Sequence, residues 1–311
     1  MTLSVFACLA SAPLAADVAG VVVAGLGGTP EYAESFETDA AVVSEALRTL
    51  APGAGAGAIE RLGASPPDAN DAGVVVADRE SILAAIERQG AREVDTFALV
   101  LIGHGTSDAR GWKFNVPGPD ISTDDLVGAL ATVRARRQLV VLGASGSGAL
   151  LETLAQPDRV VMTATKSGGE LNAVRFPGFF ADALGSDVAD IDRNEILTAA
   201  EAFRFADART REHYEEQNLL ASEHARLEGE QAASLALARL GSLRLAGEDA
   251  EVAALLDTRL ALERDYRALL GRKDEMTPDD YYAALETLML SIAGLQRAID
   301  RESGWSEDDD A

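Results

Sequence analysis

Two stretches decide how this chain is read: Thr96-Phe-Ala-Leu-Val-Leu-Ile102 followed by Gly103-His104-Gly105, and Gln138-Leu-Val-Val-Leu142 followed by Gly143-Ala144-Ser145-Gly146-Ser147-Gly148. Each is a short apolar run, rich in β-branched residues, that breaks into glycine. That is the pattern of a strand buried on both faces and ending at a tight turn. Glycine lets a backbone turn sharply and come close to a ligand, so the residue beside it is presented at the edge of a sheet. One edge offers a histidine, His104, and the next offers a hydroxyl, Ser145. A base and a nucleophile are the minimal equipment for acyl transfer.

Outward from these two runs, short strands alternate with helical segments. Val18 to Ala24 reads as a first strand and Thr38 to Leu50 as a helix. The Gly/Ala-rich turn from Pro52 to Ala58 leads to a second strand near Ile59, and Ser81 to Gln89 reads as helix. Ser122 with Asp125 forms a capping-box pattern that opens a helix over Asp124 to Arg136. A helix is expected from Ala149, a strand over Arg159 to Thr165 and a helix over Phe176 to Leu184. Strand–helix alternation of this kind predicts an α/β fold, a mostly parallel sheet flanked by helices, over residues 17–206. Beyond 206 the composition turns to Ala, Leu, Glu and Arg, which predicts an all-helical C-terminal region over 207–311. There Thr277-Pro278-Asp279-Asp280 is a helix start, and Leu285, Leu288, Ile292, Leu295 and Ile299 follow at three-four spacing. That stripe serves a bundle packed on itself or on the α/β domain, or a homo-oligomer interface; spacing alone does not separate them.

The chain has 311 residues with 27 Lys and Arg against 51 Asp and Glu, a formal net charge of −24. Such acidity argues against nucleic acid and anionic membrane surfaces as partners, because both require basic surface. No uncharged stretch approaches about 20 strongly apolar residues, so a membrane span is not expected. Residues 1–16 resemble a signal peptide: Leu3 to Ala16 is apolar and small, ends in Ala12-Pro13-Leu14-Ala15-Ala16, and precedes Asp17, although a basic n-region is missing. Export to the periplasm or beyond is the expectation. The single cysteine, Cys8, lies within that segment, so the rest of the chain has no thiol for a disulfide, a zinc site or a nucleophile. The acidic run 306–310 reads as a solvated tail.

Ser145 misses the G-x-S-x-G elbow of serine hydrolases, since Ser147 stands two residues after it. His104 also precedes the serine, the reverse of the order in that fold. Both points disfavour a serine esterase or lipase. No Gly-Lys-Ser/Thr follows the glycines, so a Walker phosphate loop is excluded, and Gly25-Leu26-Gly27-Gly28 lacks the third glycine of a dinucleotide fingerprint. His213 and His224 lie among Arg and Glu and read as surface residues.

Taken together, the order of these motifs resembles the caspase–legumain–gingipain group of cysteine peptidases, most closely bacterial legumain-like proteins. In that group one strand ends in His-Gly and the next in Ala-Cys-x-Ser-Gly; the matching positions are His104-Gly105 and Ala144-Ser145-Gly146-Ser147-Gly148. Tyr32 and Phe36, the stretch Lys113-Phe-Asn-Val-Pro-Gly-Pro-Asp120 and the strand Val161-Met-Thr-Ala-Thr165 agree as well. The resemblance spans roughly Val18 to Ala206. It implies a caspase-like sheet, a protein or peptide as substrate or partner, and peptide-bond hydrolysis. His104 would shuttle protons, and the N–H groups of Gly105 and Ser145 would form an oxyanion hole. Ser145 departs from the group at the nucleophile itself. A thiol is partly ionised near neutral pH, whereas a serine hydroxyl must lose its proton during attack. Three readings stay open: a slow or true serine hydrolase, a silent pseudo-peptidase serving as a binding or scaffold module, and the disfavoured esterase.

A second pattern is independent of the first. Asp190, Asp192, Asn194, Thr198 and Glu201 supply oxygens at positions 1, 3, 5, 9 and 12 of a twelve-residue loop, with the Ile196 carbonyl at position 7. That is EF-hand spacing and suits Ca2+, a hard cation that takes clustered oxygens. Glu195 stands where the sharp turn favours glycine. The alternative is an acidic loop that caps a helix over Thr198 to Arg209.

Overall fold

The computed structural model describes residues 18–50, 57–64, 75–241 and 250–302. The expected leader (1–16), most of the Pro52–Ala58 turn and the acidic run at 306–310 lie outside the described residues. Two compact units part between Glu248 and Asp249.

The first unit is built on a seven-stranded sheet. Its strands are β1 (Val18–Ala24), β2 (Ile59–Gly63), β3 (Val75–Val76), β4 (Thr96–Ile102), β8 (Arg137–Gly143), β9 (Arg159–Thr163) and β11 (Arg226–Glu228), in the spatial order β11-β9-β8-β4-β1-β2-β3. Every pairing is parallel except that of β11 with β9. All seven residues of β1 and all seven of β4 are buried, so these strands read as continuous apolar runs because helices cover both faces. One face packs on α1 (Pro30–Thr49), α5 (Phe176–Ala183) and α6 (Ala199–Glu216); the other packs on α2 (Arg79–Gly90) and α3 (Thr123–Leu130). The three central strands end level. Ala24 is in register with Ile102, and Ile102 with Gly143.

Local rules explain most element boundaries. Helix α1 starts at Pro30, earlier than the apolar periodicity from Thr38 suggested, because Thr29 caps it and the fixed φ of proline suits the first helical position. Ser122 and Asp125 form the expected reciprocal capping box at α3. That helix stops at Leu130, short of Arg136, since the residues leading into β8 carry no apolar repeat. Helical structure after Ser145 is limited to a 3-10 turn (Ser147–Leu150) and one α-turn, α4 (Leu151–Leu154).

Two short sheets decorate the main one: β5 (Gly105–Asp108), β6 (Gly111–Phe114) and β7 (Ile121–Ser122) in one, and β10 (Ile196–Thr198) with β12 (Ala236–Arg239) in the other. The compositional change at 206 falls inside α6 and is not the unit boundary. Residues 207–241 belong with the sheet, where β11 extends its edge and β12 packs into the core. The second unit is helical, formed by α7 (Ala250–Gly271) and α8 (Pro278–Glu302), which pack along each other. Leu285, Leu288, Ile292 and Leu295 are half-buried and Ile299 is buried, whereas Met289 and Leu290 are exposed. Among the described residues no helix is long and apolar enough to cross a membrane.

Candidate functional site

His104 and Ser145 each lie two residues beyond a register-matched strand end, Ile102 of β4 and Gly143 of β8. The parallel ladder continues past both ends, with Gly25 N–H donating to the Ile102 carbonyl (2.8 Å) and Gly103 N–H to that of Gly143 (3.1 Å). The sheet thus carries the histidine and the serine to one edge.

The Nε2 of His104 and the Ser145 hydroxyl each face a backbone carbonyl. The Nε2 of His104 lies 3.0 Å from the Gly27 carbonyl oxygen. A carbonyl can only accept, so this nitrogen carries the proton. Tyr32 and Phe36 of α1 meet the half-buried imidazole edge-on, with ring centroids 4.9 and 5.1 Å away. The Ser145 hydroxyl donates to the Asn172 carbonyl at 2.8 Å, and the residue is 2% exposed. Ser145 is held further by its own carbonyl, which accepts from Trp112 Nε1 at 2.9 Å, and by the next residue, where Gly146 N–H donates to the Glu170 carbonyl at 2.8 Å. The segment 166–172 therefore lies against the serine turn. It is anchored through the Glu170 side chain, which accepts from Lys166 N–H and His224 N–H and meets His224 Nδ1. Burial alone would raise the Glu170 pKa, but these hydrogen bonds outweigh it and hold the carboxyl below its ordinary range.

Gly105 is where the two edges touch. A Cβ there would stand 2.4 Å from the Ser145 carbonyl oxygen and 2.7 Å from Trp112 Nε1, so only glycine lets β5 leave the sheet beside the serine turn. Gly146 takes φ +66°, the left-handed conformation that glycine adopts without strain. Trp112 was not singled out by sequence reading. Its signal was the Asp108-Ala-Arg-Gly111 turn, which marks a hairpin directly after the histidine.

The acidic loop is also shaped. β10 occupies positions 7–9 of the expected twelve, and α6 begins at position 10. Glu195, at the position expected to favour glycine, takes φ +60°. One ligand atom each from Asp190, Asp192 and Glu201 lies within 4.8 Å of the others. Oxygens on opposite sides of one Ca2+ stand about 4.6–5.2 Å apart, so the three carboxylates fit a single ion of that size. Two of the other three expected ligands are used locally: Asn194 Oδ1 accepts from Ile196 N–H at 2.8 Å, and the Thr198 hydroxyl donates to Glu201 Oε2 at 2.6 Å within the α6 capping box. Ile196, the third, lies in β10 across from Arg239. Asp190 orients the loop by accepting from the N–H groups of Asn194 and Glu195.

No protein-family model matches the chain, and no curated protein matches it.

Proposed function

We propose that the chain is a peptidase-type protein of caspase–legumain character, that it binds an extended peptide along the edge carrying His104 and Ser145, and that Ser145 serves there as a resting hydroxyl. One observation carries this reading. The two side chains sit at register-matched strand ends, yet each points its proton at a backbone carbonyl, Gly27 for His104 and Asn172 for Ser145. Attack by a serine requires a base that accepts the hydroxyl proton as the bond to carbon forms. With the hydroxyl turned to Asn172, that transfer has no route in the resting arrangement. A fluorophosphonate probe tests the reading. Wild-type protein is expected to remain unlabelled at Ser145, whereas labelling that disappears in His104→Ala would identify a working serine hydrolase.

The carboxylates of Asp190, Asp192 and Glu201 favour a second feature, a structural Ca2+ site that ties the loop before α6 to the rest of the sheet unit. Calcium at a hundred times its dissociation constant would stabilise the fold by about 2.7 kcal/mol, read as a rise of several degrees in Tm over protein in chelator. Asp192 takes no part in the α6 cap, so Asp192→Asn should abolish the calcium-dependent rise, measured against the variant's own melt in chelator. Identical melts with calcium and with chelator in the wild type would remove the site.

A further inference from the structure

A groove of about 590 Å³ opens between α1 and α5 and reaches His213 of α6. Tyr32, Phe36 and Phe179 form its aromatic walls, and Asp39 and Asp182 supply carboxylates from its two sides. The Asp39 carboxylate faces α5 at Gly178, where an added Cβ would sit 3.6 Å from Oδ2. No hydrogen-bond donor among the described residues bears on it. Burial first, and the like charge of Asp182 second, raise its pKa to about 6. Glu31 and Arg175 also line the groove, and Arg209, over the Phe179 ring at 5.8 Å, is paired with Glu212. Half-buried Asp39 and exposed Asp182 thus face one aromatic-walled groove whose lining carries three carboxylates against the single guanidinium of Arg175.

We propose that this groove is a binding site for an organic monocation, an ammonium or guanidinium group on an apolar stem. The charge would sit between Asp39 and Asp182, and the stem against Tyr32, Phe36 and Phe179. Opposite charge stabilises both carboxylates at once, and the ring faces attract a cation directly. A bare metal ion fits poorly, because Asp39 and Asp182 do not gather with a third acid as Asp190, Asp192 and Glu201 do. Tyr32 and Phe36 are also the two rings that clamp His104, so the groove adjoins the candidate peptide edge. The same chemistry could arrive as a free amine or as a Lys or Arg side chain of a bound peptide. Binding here does not depend on whether Ser145 reacts.

Affinity should fall as pH drops through about 6 and Asp39 protonates. The other titratable or charged groups on the groove are Glu31 and Tyr32 on α1, Asp182 on α5, Arg175 at its start and His213 on α6. Calorimetric titration of the full chain with benzamidinium, and separately with neutral benzamide, tests the proposal near neutral pH. Saturable 1:1 binding is expected for benzamidinium alone, weakened at least tenfold by Asp39→Asn and by Asp182→Asn. Each substitution removes one of two like charges, so both variants should melt at or above the wild-type temperature, which separates lost binding from lost fold. A blocked pentapeptide with central arginine, run beside n-butylguanidinium, distinguishes the sources: much tighter binding of the peptide identifies a side chain, equal binding a free cation. Equal affinity for benzamide, undiminished binding by both variants, or no binding of either cation would overturn the proposal.

Discussion

Replacing the Ser145 hydroxyl by a thiol, Ser145→Cys, is expected to convert a protein without measurable peptidase activity into one that cleaves peptides, a gain of roughly 10²-fold or more over background. The two nucleophiles differ in what they need. A serine needs its proton removed in the transition state, and here that proton is committed to the Asn172 carbonyl. A thiol is already ionised in part near neutral pH, so it can attack without a base within reach of its own proton. In the variant the thiolate would add to the peptide carbonyl carbon and the C–N bond would break. His104, as the imidazolium ion carrying the proton taken from the thiol, would give a proton to the leaving amine and return to neutral imidazole, and water would then hydrolyse the thioester to the acid and the free thiol. His104→Ala in the Ser145→Cys background should return activity to background. Rates measured on internally quenched peptides check both statements; a thiol variant as silent as the wild type would show that the frame cannot present a nucleophile at all.

The second large effect concerns Trp112. It is 1% exposed, stacks on Phe114 at a centroid distance of 6.2 Å, and donates to the Ser145 carbonyl at 2.9 Å. Trp112→Ala leaves a cavity and an unpaired buried carbonyl, and should cost about 3–5 kcal/mol. Trp112→Phe keeps much of the packing and loses mainly the hydrogen bond, a cost of about 1–3 kcal/mol. Urea unfolding followed by circular dichroism measures both. Two variants within about 0.5 kcal/mol of wild type, the range of ordinary surface substitutions, would show that the hairpin after the histidine does not support the serine turn.

The sheet was legible in the sequence because its strands are covered on both faces. A strand buried on both sides must be apolar throughout, and Val18–Ala24 and Thr96–Ile102 have no polar residue beyond Thr96 to blur the pattern. The cap at Ser122 was legible for a different reason, since its acid three residues on is local chemistry, whereas Thr198 and Glu201 form the same box but were read as ligands of a cation. What escaped was whatever depends on tertiary placement. Arg226-Leu-Glu228 is a charged tripeptide whose strand character comes entirely from lying beside β9. The groove carboxylates Asp39 and Asp182 are far apart in the chain and meet only because α1 and α5 pack on the same face of the sheet. The site itself was half legible. Sequence placed His104 and Ser145 at strand ends and the register puts those ends side by side, but the rotamers that turn both groups toward carbonyls follow from Gly27 and from Asn172 in the segment 166–172.

The central claim is that this edge binds peptide and leaves it intact. Incubating wild-type protein with a mixed-sequence peptide library, removing unbound peptide by dialysis, and weighing both fractions by mass spectrometry tests it directly. The account predicts a retained subset of peptides at full length and no new termini in either fraction. Cleavage products generated by the wild type, or a library that passes through with nothing retained, would contradict it.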